Sequence, residues 1–394
     1  MDFHPSARST LGIEWELQMV DMDTGDLRQS ADAVLDVIDA DGTHPHIHRE
    51  MLLNTIEITS KPRQLCSECL DDLTALVGVI EPVTTPMRIA LASAGTHPFA
   101  RPAYQRVTDS ARYADLVEHT QYWGRQMQLY GVHVHVGVED QRKVLPIMRA
   151  LMTRFAHLQA LSSSSPLWAG EHTGYASNRA MYFQQLPTAG IPQQFDTWEQ
   201  LDRYVDDMVH TGVITDFSEV RWDIRPSPTL GTIEVRVFDA ATNIREVGVL
   251  AALTQCLVEH YSRMIDRGEE LPRIPDWFAA ENKWRASRYG MDATLIVDHT
   301  GRQEDAVTTL RTMLDELRPI AEDLGCRDEL EGVNDILRRG TAASRLIIAG
   351  ARHTMEGQAM VDLMRAEFRA GKPIDALSFV APKPNELKPI PARQ

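Results

Sequence analysis

The chain has 394 residues, of which 43% are hydrophobic and 24% are charged, proportions typical of a globular protein with a substantial core. Its net charge of −16 argues against nucleic acid or an anionic membrane as the main partner. The four cysteines are too sparse for a disulfide framework, and no apolar run approaches the roughly 20 residues of a membrane span. We therefore expect a cytoplasmic protein.

The first half of the chain alternates predicted strands and helices. Apolar residues recur with period two in the strands and at helical spacing in the helices. The predicted strands are 11–20, 51–60 and 132–138, and the predicted helices are 31–40, 64–91, 112–130 and 143–161. Pro82 and Pro86 are expected to break or kink the second helix.

The second half of the chain begins with a long polar and aromatic loop at 162–192, whose Trp, Tyr and Arg content favours a functional role. Beyond it we predict helices at 196–211 and 246–267, strands at 220–225 and 232–237, and an almost wholly helical segment from 303 to 370.

The strand motifs extend from residue 11 to residue 239 without a linker, which predicts one α+β domain over residues 1–370. Its helical C-terminal layer would begin at about residue 303. Residues 371–394 are rich in Pro and Lys, so we expect a disordered tail there.

Four of these strands carry ionisable residues on one side and apolar residues on the other. The ionisable residues are Glu14 and Glu16, Glu57, His133 and His135, and Glu234 and Arg236. Because successive strand side chains point to opposite faces, the polar members of each strand share a face. If the strands pair in one sheet, that face gathers charges that are costly to bury unpaired. Divalent cations and a phosphorylated ligand would satisfy them.

Each motif also has an ordinary explanation when it is taken alone. Solvated carboxylates on an exposed strand would account for the first motif, and a salt bridge would account for Glu234 and Arg236. The pair His133 and His135 occurs in cupins, where a Glu such as Glu139 follows, but the second cupin motif is missing and the helices do not suit a β-barrel. A metal-dependent hydrolase or isomerase that does not use ATP stays open, as does a non-catalytic protein on the same scaffold.

Two arginines favour phosphoryl transfer among these possibilities. Arg225 lies on the strand next to that of Arg236, and the guanidinium fork matches phosphate oxygens. Arginines beside several carboxylates suit a site where charge moves during phosphoryl transfer. The chain has no GxxxxGK[ST], GxGxxG, GxSxG or HExxH motif. ATP, if it is used, would therefore be held on a sheet by metal ions and arginines.

The order of these motifs resembles that of a known superfamily. The matching stretches are 11–14 (LGIE), 95–99 (GTHPF), 131–137 (GVHVHVG), 222–228 (WDIRPSP), 231–237 (GTIEVRV) and 284–290 (WRASRYG). Together they resemble the carboxylate–amine ligases that include glutamine synthetase and the glutamate–cysteine ligases. The resemblance is closer to the bacterial glutamate–cysteine ligase type 2 family, often called YbdK-like.

This resemblance implies a fold, a reaction and its small-molecule partners. The fold would be glutamine synthetase-like, with a curved, mainly antiparallel sheet and helices on its outer face. The reaction would use ATP and Mg²⁺, with Mn²⁺ as an alternative, to convert the γ-carboxylate of L-glutamate into an acyl phosphate. An amine such as L-cysteine then attacks it, and with cysteine the product is γ-glutamylcysteine. A homodimer would suit the apolar helix surface.

The resemblance also implies roles for individual residues. The implied metal ligands are Glu14, Glu16, Glu57, His133 and Glu234. His135 would contact the nucleotide phosphates, and Arg225 and Arg236 would bind the nucleotide and stabilise the transferring phosphoryl group. Arg179, in the long loop, would bind a carboxylate or phosphate of a substrate.

Overall fold

The computed structural model of the chain describes residues 1–42, 44–353 and 357–381. The strands are β1 (Leu11–Asp21), β2 (Ile47–Arg49), β3 (Thr55–Thr59), β4 (Ile89–Ala92), β5 (Gly131–Gly137), β6 (Leu167–Trp168), β7 (Glu171–His172), β8 (Ile224–Ser227), β9 (Thr232–Asp239), β10 (Thr294–Ile296) and β11 (Gln303–Asp305). The helices are α1 (Ala31–Ile38), α2 (Cys66–Thr84), α3 (Ala111–Thr120), α4 (Gln141–Leu151), α5 (Phe155–Ser162), α6 (Asn178–Phe183), α7 (Trp198–His210), α8 (Ile244–Asp266), α9 (Asp276–Tyr289), α10 (Ala306–Leu324), α11 (Arg327–Glu331), α12 (Val333–Arg339), α13 (Ala342–Arg352) and α14 (Gly357–Ala370).

A seven-stranded sheet organises the fold. Its order is β2-β3-β1-β5-β9-β8, with β4 paired to β1 outside this path. Every pairing in this sheet is antiparallel. Helices α2, α4, α5 and α8 pack against its strands. The predicted α+β class, with a mainly antiparallel sheet and helices against it, is confirmed.

The two faces of β1 show how the sequence fixes the register of the sheet. Leu11, Ile13 and Trp15 are at most 2% exposed and face the helices. The indole Nε1 of Trp15 donates to Ser93 Oγ at 3.0 Å, so its one polar group is satisfied inside the core. A slip of one residue would bring carboxylates into that core and expose the apolar side chains.

A β-bulge lies where β5 meets β9. Val132 is opposite Phe238, whereas Val134 is opposite Val235, so two residues of β9 face the single residue His133. Bulges of this kind turn a side chain and often occur beside functional sites. The bulged residues include Arg236, whose backbone nitrogen donates to the carbonyl oxygen of Asp223 at 2.8 Å.

The C-terminal helical layer is joined to the rest of the fold by a buried ion-pair network. Arg345 in α13 is fully buried. Its guanidinium lies 2.9 Å from Glu246 of α8 and 2.7 Å from Glu367 of α14. Because all three partners are buried and paired, removing one of them would leave an uncompensated charge. The network therefore links α8 to α13 and α14, the last two helices of the layer.

Several predicted element boundaries differ from the structure. The strand predicted at 51–60 is limited to β3, and β2 precedes it as a separate short strand. Strand β4 was included in the helix predicted at 64–91, because a short apolar run does not distinguish a buried strand from a helix end. Helix α9 was not predicted, since Trp277 and Trp284 on its exposed side obscure the apolar stripe.

The remaining differences concern segments that the sequence presents as continuous. The helix predicted at 143–161 consists of α4 and α5, and the one at 112–130 ends with α3. The loop at 162–192 contains the β6–β7 hairpin and α6. By contrast, the almost wholly helical segment predicted at 303–370 is observed, as five helices that follow β11.

Part of the predicted tail is described. Ile374 and Ala376 pack into an apolar cluster with α13 and α14, and the backbone nitrogen of Ile374 donates to Glu367 at 2.9 Å. The rest of that prediction, residues 382–394, lies outside the described residues. Among the described helices, none is both long enough and apolar enough to cross a membrane.

Candidate active site

The predicted polar residues meet on the face of the sheet opposite the core. In the strand register, Glu14 is opposite His133, Glu16 is opposite Glu57, and His135 is opposite Glu234. On the next strand, Arg225 is also opposite Glu234. The register therefore brings the polar members of β1, β3, β5, β8 and β9 onto neighbouring positions, as period two predicts.

Glu14 lies at the centre of this face and contacts both histidines. Its carboxylate oxygens lie 2.8 Å from Nδ1 of His133 and 3.2 Å from Nε2 of His135. Burial favours the neutral acid, but the bonds from both imidazoles hold the pKa of Glu14 well below its usual range. Burial, assisted by the charge of Arg236, lowers the pKa of His133 to about 4. Glu14 is therefore an anion beside a neutral His133 at neutral pH.

One end of the face is rich in guanidinium groups. Glu234 is 1% exposed and ion-pairs with both Arg225, at 2.6 Å, and Arg236. Burial alone would raise the pKa of Glu234, but Arg236, His135 and Arg225 outweigh burial and lower it. Arg225 also donates to the carbonyl oxygen of Val220 at 2.7 Å. The salt bridge that was considered for Glu234 and Arg236 is present. Glu234 holds the guanidinium groups of both Arg225 and Arg236 at the shared face.

The other end of the face carries carboxylates that lack such cations. Single oxygens of Glu16, Glu50 and Glu57 all lie within 4.8 Å of one another. Burial, and then the charge of Glu50, raises the pKa of Glu16 to about 8. Burial and the neighbouring carboxylates also raise the pKa of Glu57, and burial raises that of Glu50. The backbone nitrogen of Gly131 donates to Glu16 at 2.5 Å.

Glu50 is a member of this face that the sequence interpretation missed. It follows β2, in which His48 is opposite Glu57. His48 and Glu50 stand two residues apart, so their spacing places them on one side of the chain. This alternation could have indicated that Glu50 belongs to the polar face. It was missed because both residues precede the strand predicted at 51–60.

Arg179 reaches the acidic end from the long loop. It is 4% exposed, and its Nη1 donates to the carbonyl oxygen of Arg236 at 3.3 Å. Its Nε is buried and has no hydrogen-bond partner among the described residues. Gly131 makes this approach possible, because a Cβ there would lie 2.4 Å from Nη2 of Arg179. Burial lowers the pKa of Arg179.

Comparison with known proteins assigns the chain to a family. A model described as glutamate–cysteine ligase family 2 matches residues 10–363. The chain belongs to this family. The resemblance found in the sequence is thereby confirmed, and the family is one of ligases.

Curated relatives of this family 2 chain match it over nearly its whole length. A protein of Paenarthrobacter aurescens (strain TC1), provisionally named glutamate–cysteine ligase 2-2, is 48% identical over 378 residues, covering 94% of this chain and 99% of the relative. A protein of Mycobacterium tuberculosis (strain ATCC 25618 / H37Rv), provisionally named glutamate–cysteine ligase 2, is 47% identical over 367 residues, covering 93% of this chain and 97% of the relative.

Solved structures share the fold of the family 2 chain at low identity. The glutamate–cysteine ligase of Francisella tularensis, solved in complex with AMP, superposes with a TM-score of 0.66 at 13% identity, covering 96% of this chain and 91% of that one. A bifunctional glutathione synthetase of Pasteurella multocida gives 0.65 at 16% identity, covering 92% and 52%. At these identities the likeness is one of fold.

The donor atoms on the polar face of the sheet suit hard divalent cations. Three overlapping sets of side chains hold their possible ligand atoms within 4.8 Å of one another: Glu14, Glu57 and His133; Glu14, His135 and Glu234; and Glu16, Glu50 and Glu57. Among the described residues, Glu14 and Glu57 each belong to two of these sets. Mg²⁺ and Mn²⁺ prefer such oxygen-rich sites.

A buried carboxylate outside the predicted set anchors the loop that carries Arg179. Asp239, at the end of β9, accepts from the hydroxyls of Ser165 at 2.6 Å and Ser177 at 2.7 Å. The Ser165 Oγ in turn accepts from the backbone nitrogen of Arg179 at 3.1 Å. Asp239 thereby positions Arg179, and the serine-rich start of the loop was the only sequence signal for such an anchor.

Proposed function

We propose that the chain is an ATP-dependent carboxylate–amine ligase that acts with Mg²⁺ in the cytoplasm. It joins the γ-carboxylate of L-glutamate to an amine, of which L-cysteine is the first candidate, and releases ADP and phosphate. The observation that supports this most directly is the single face on which three overlapping carboxylate-rich ligand sets adjoin two arginines. Family membership supports the choice of substrates.

The proposed metal ligands are the five predicted from the sequence, Glu14, Glu16, Glu57, His133 and Glu234, together with Glu50. Magnesium ions bound there would neutralise the β- and γ-phosphate charge of ATP. The carboxylates of the acidic end support this assignment, because like charges so close together favour protonation unless a cation takes the place of the protons.

The remaining residues would act on the substrates. His135 and the arginines Arg225 and Arg236 face the phosphates, and the arginines stabilise charge on the oxygens of the transferring phosphoryl group. Arg179 binds a substrate carboxylate or phosphate, which would satisfy its unpartnered buried Nε.

The proposed chemistry has two steps. An oxygen of the glutamate γ-carboxylate attacks the γ-phosphorus of ATP, and the bond between that phosphorus and the ADP oxygen breaks. The amine nitrogen then attacks the acyl carbon of γ-glutamyl phosphate, phosphate leaves, and the nitrogen loses a proton. The residues named above orient the reactants and exclude water from the acyl phosphate.

A direct assay tests the proposal. The purified chain is incubated with ATP, Mg²⁺, L-glutamate and a panel of amines that includes L-cysteine, while ADP and the amide are followed together. We expect ADP and amide in equal amounts with at least one amine. If no amine gives ADP above the control without amine, the ligase proposal fails, and metal-dependent turnover without ATP would favour the hydrolase alternative.

Glu14→Gln tests the role of the face. Because Glu14 belongs to two ligand sets, we expect turnover to fall by about 100-fold or more while the circular dichroism spectrum stays unchanged. Glu171→Gln, at an exposed position in β7, is the matched control and should keep full activity. An active Glu14→Gln variant would remove Glu14 from the proposed metal ligands.

A further inference from the structure

A second candidate ligand site lies away from the polar face of the sheet. A cavity of about 680 Å³ opens between α8, α10, the segment before α9 and the turn after β10. None of its lining residues belongs to the seven-stranded sheet. Its volume falls within the range of roughly 300–1,000 Å³ that small-molecule sites occupy.

The floor of this cavity is apolar. Leu257 and Tyr261 of α8 and Met313 and Leu317 of α10 line it, and each is at most 3% exposed in the folded chain. Met264 adds a flexible thioether that adapts to different shapes. The floor therefore suits the apolar side chain of a ligand.

Charges of both signs border this floor without pairing to each other. Arg154 is half-buried, and Glu316 lies on the facing helix α10. Neither takes part in an ion pair anywhere in the described ranges 1–42, 44–353 and 357–381. Other partly buried arginines nearby are paired, such as Arg149 with Asp196 and Arg263 with Glu259. Arg154 has a side-chain hydrogen bond with Tyr261 of the floor, but no carboxylate among the described residues neutralises its charge.

Both charges act on the same part of the cavity wall. Burial lowers the pKa of His260, Glu316 opposes this shift, and Arg154 adds to it. Tyr261, the next residue, also interacts with both charges. Arg154 and Glu316 thus both line the cavity near one stretch of α8, and no ion pair joins them among the described residues.

We infer that this cavity binds a zwitterion with an apolar side chain, namely an α-amino acid or a short peptide. Arg154 would bind the carboxylate, Glu316 would bind the ammonium group, and the floor would hold the side chain. Glu270 and Arg273 also line the cavity, so a simple anion or a simple cation would meet repelling as well as matching charges, whereas a zwitterion matches both signs. The site is separate from the proposed reaction, because none of its lining residues takes part in it.

Calorimetric titration of the metal-free, nucleotide-free chain tests this inference. The probes are L-leucine and the dipeptide leucyl-leucine, which separate the two sources of the zwitterion, each used up to about 10 mM so that millimolar affinity is detected. Leucinamide lacks the carboxylate, and 4-methylpentanoate lacks the ammonium group. We expect at least one zwitterion to bind, and each truncated probe to bind at least tenfold more weakly.

Variants locate the binding. Arg154→Gln and Glu316→Gln should each weaken the affinity for the zwitterion at least tenfold, and Met264→Trp should block the cavity while keeping both charges. The matched controls are Arg142→Gln and Glu322→Gln, which lie outside the cavity and should bind as the parent chain does. Glu316 is exposed, so its substitution tests the inference even if Arg154→Gln fails to fold.

Two results would overturn the inference. One is the absence of binding by both zwitterions. The other is binding that Glu316→Gln and Met264→Trp leave unchanged, which would place the ligand elsewhere, for example on the polar face of the sheet.

Discussion

The two ends of the polar face of the sheet differ in how the charge of their buried carboxylates is compensated. At one end, the carboxylate of Glu234 is held by Arg225 and Arg236, so its charge is compensated by the chain itself. At the other end, Glu16, Glu50 and Glu57 crowd together, and burial, with a smaller contribution from neighbouring carboxylates, raises the pKa of each. The charge of Glu234 at the first end is neutralised by the chain itself, whereas we propose that added cations complete the second end. One sheet face thus combines a carboxylate that the chain pairs with its own arginines and carboxylates that form no ion pair among the described residues.

The largest expected effect comes from breaking the compensated end. Glu234→Gln leaves Arg225 and Arg236 without their shared anion, so we expect the free energy of unfolding to fall by about 3 kcal/mol. Urea denaturation of the metal-free protein measures this change. Glu171→Gln serves as the control and should shift the value by less than about 0.5 kcal/mol; a similarly small shift for Glu234→Gln would contradict the comparison.

Adding cations should complete the acidic end. Because Mg²⁺ would bind the folded chain and not the unfolded one, we expect stabilisation of about 2.7 kcal/mol at 100 times its dissociation constant. Thermal unfolding with Mg²⁺, and again after chelation with EDTA, measures the effect. Glu57→Gln should lose most of this response, and an equal response in variant and parent would remove Glu57 from the metal ligands.

A pH dependence should follow from the same end in the absence of metal. Folding raises the pKa of Glu16 from 4.5 to about 8, so between these values the folded state holds a proton that the unfolded state has lost. Stability should therefore fall as the pH rises through this window, by at most about 1.4 kcal/mol per pH unit for this proton. Urea midpoints across the window in EDTA test this, with Glu16→Gln giving a shallower slope; equal slopes would count against it.

The smallest expected effect is a gain in stability. In Glu57→Gln a neutral amide replaces a buried acid that is costly to ionise, so at neutral pH without metal we expect stabilisation of about 1 kcal/mol. Activity should be lost, since a metal ligand is missing. Urea denaturation beside the ADP assay measures both, and destabilisation as large as that of Glu234→Gln would erase the contrast between the two ends.

Period-two alternation was enough to predict the polar face, because pairing register follows from which residues face the core. For that reason Glu14, His133 and Glu234 lie on the same face of the sheet. The alternation did not predict the bulge at His133, since a bulge depends on how two strands fit together and not on either strand alone.

Other parts of the site depended on contacts between segments distant in sequence. Glu50 reaches the acidic end through the pairing of β2 with β3. Asp239 anchors the loop of Arg179 through hydroxyls of Ser165 and Ser177, more than 60 residues earlier in the chain. The local signals, an alternation at His48 and Glu50 and a serine-rich start of the loop, do not say which distant segments meet. Family resemblance therefore supplied Arg179, and Asp239 was not predicted. The assigned metal and substrate roles themselves stay predictions.

The placement of β1 has a consequence for biosynthesis. This strand is made first, yet its neighbour β5 begins at residue 131 and the arginine of β9 is residue 236. Until β5 has left the ribosome, Glu14 has no imidazole beside it and the edge of β1 that pairs with β5 is unpaired. Such long-range pairing slows folding and leaves a strand edge exposed to other nascent chains. Chaperone protection during translation should therefore matter most before β5 emerges.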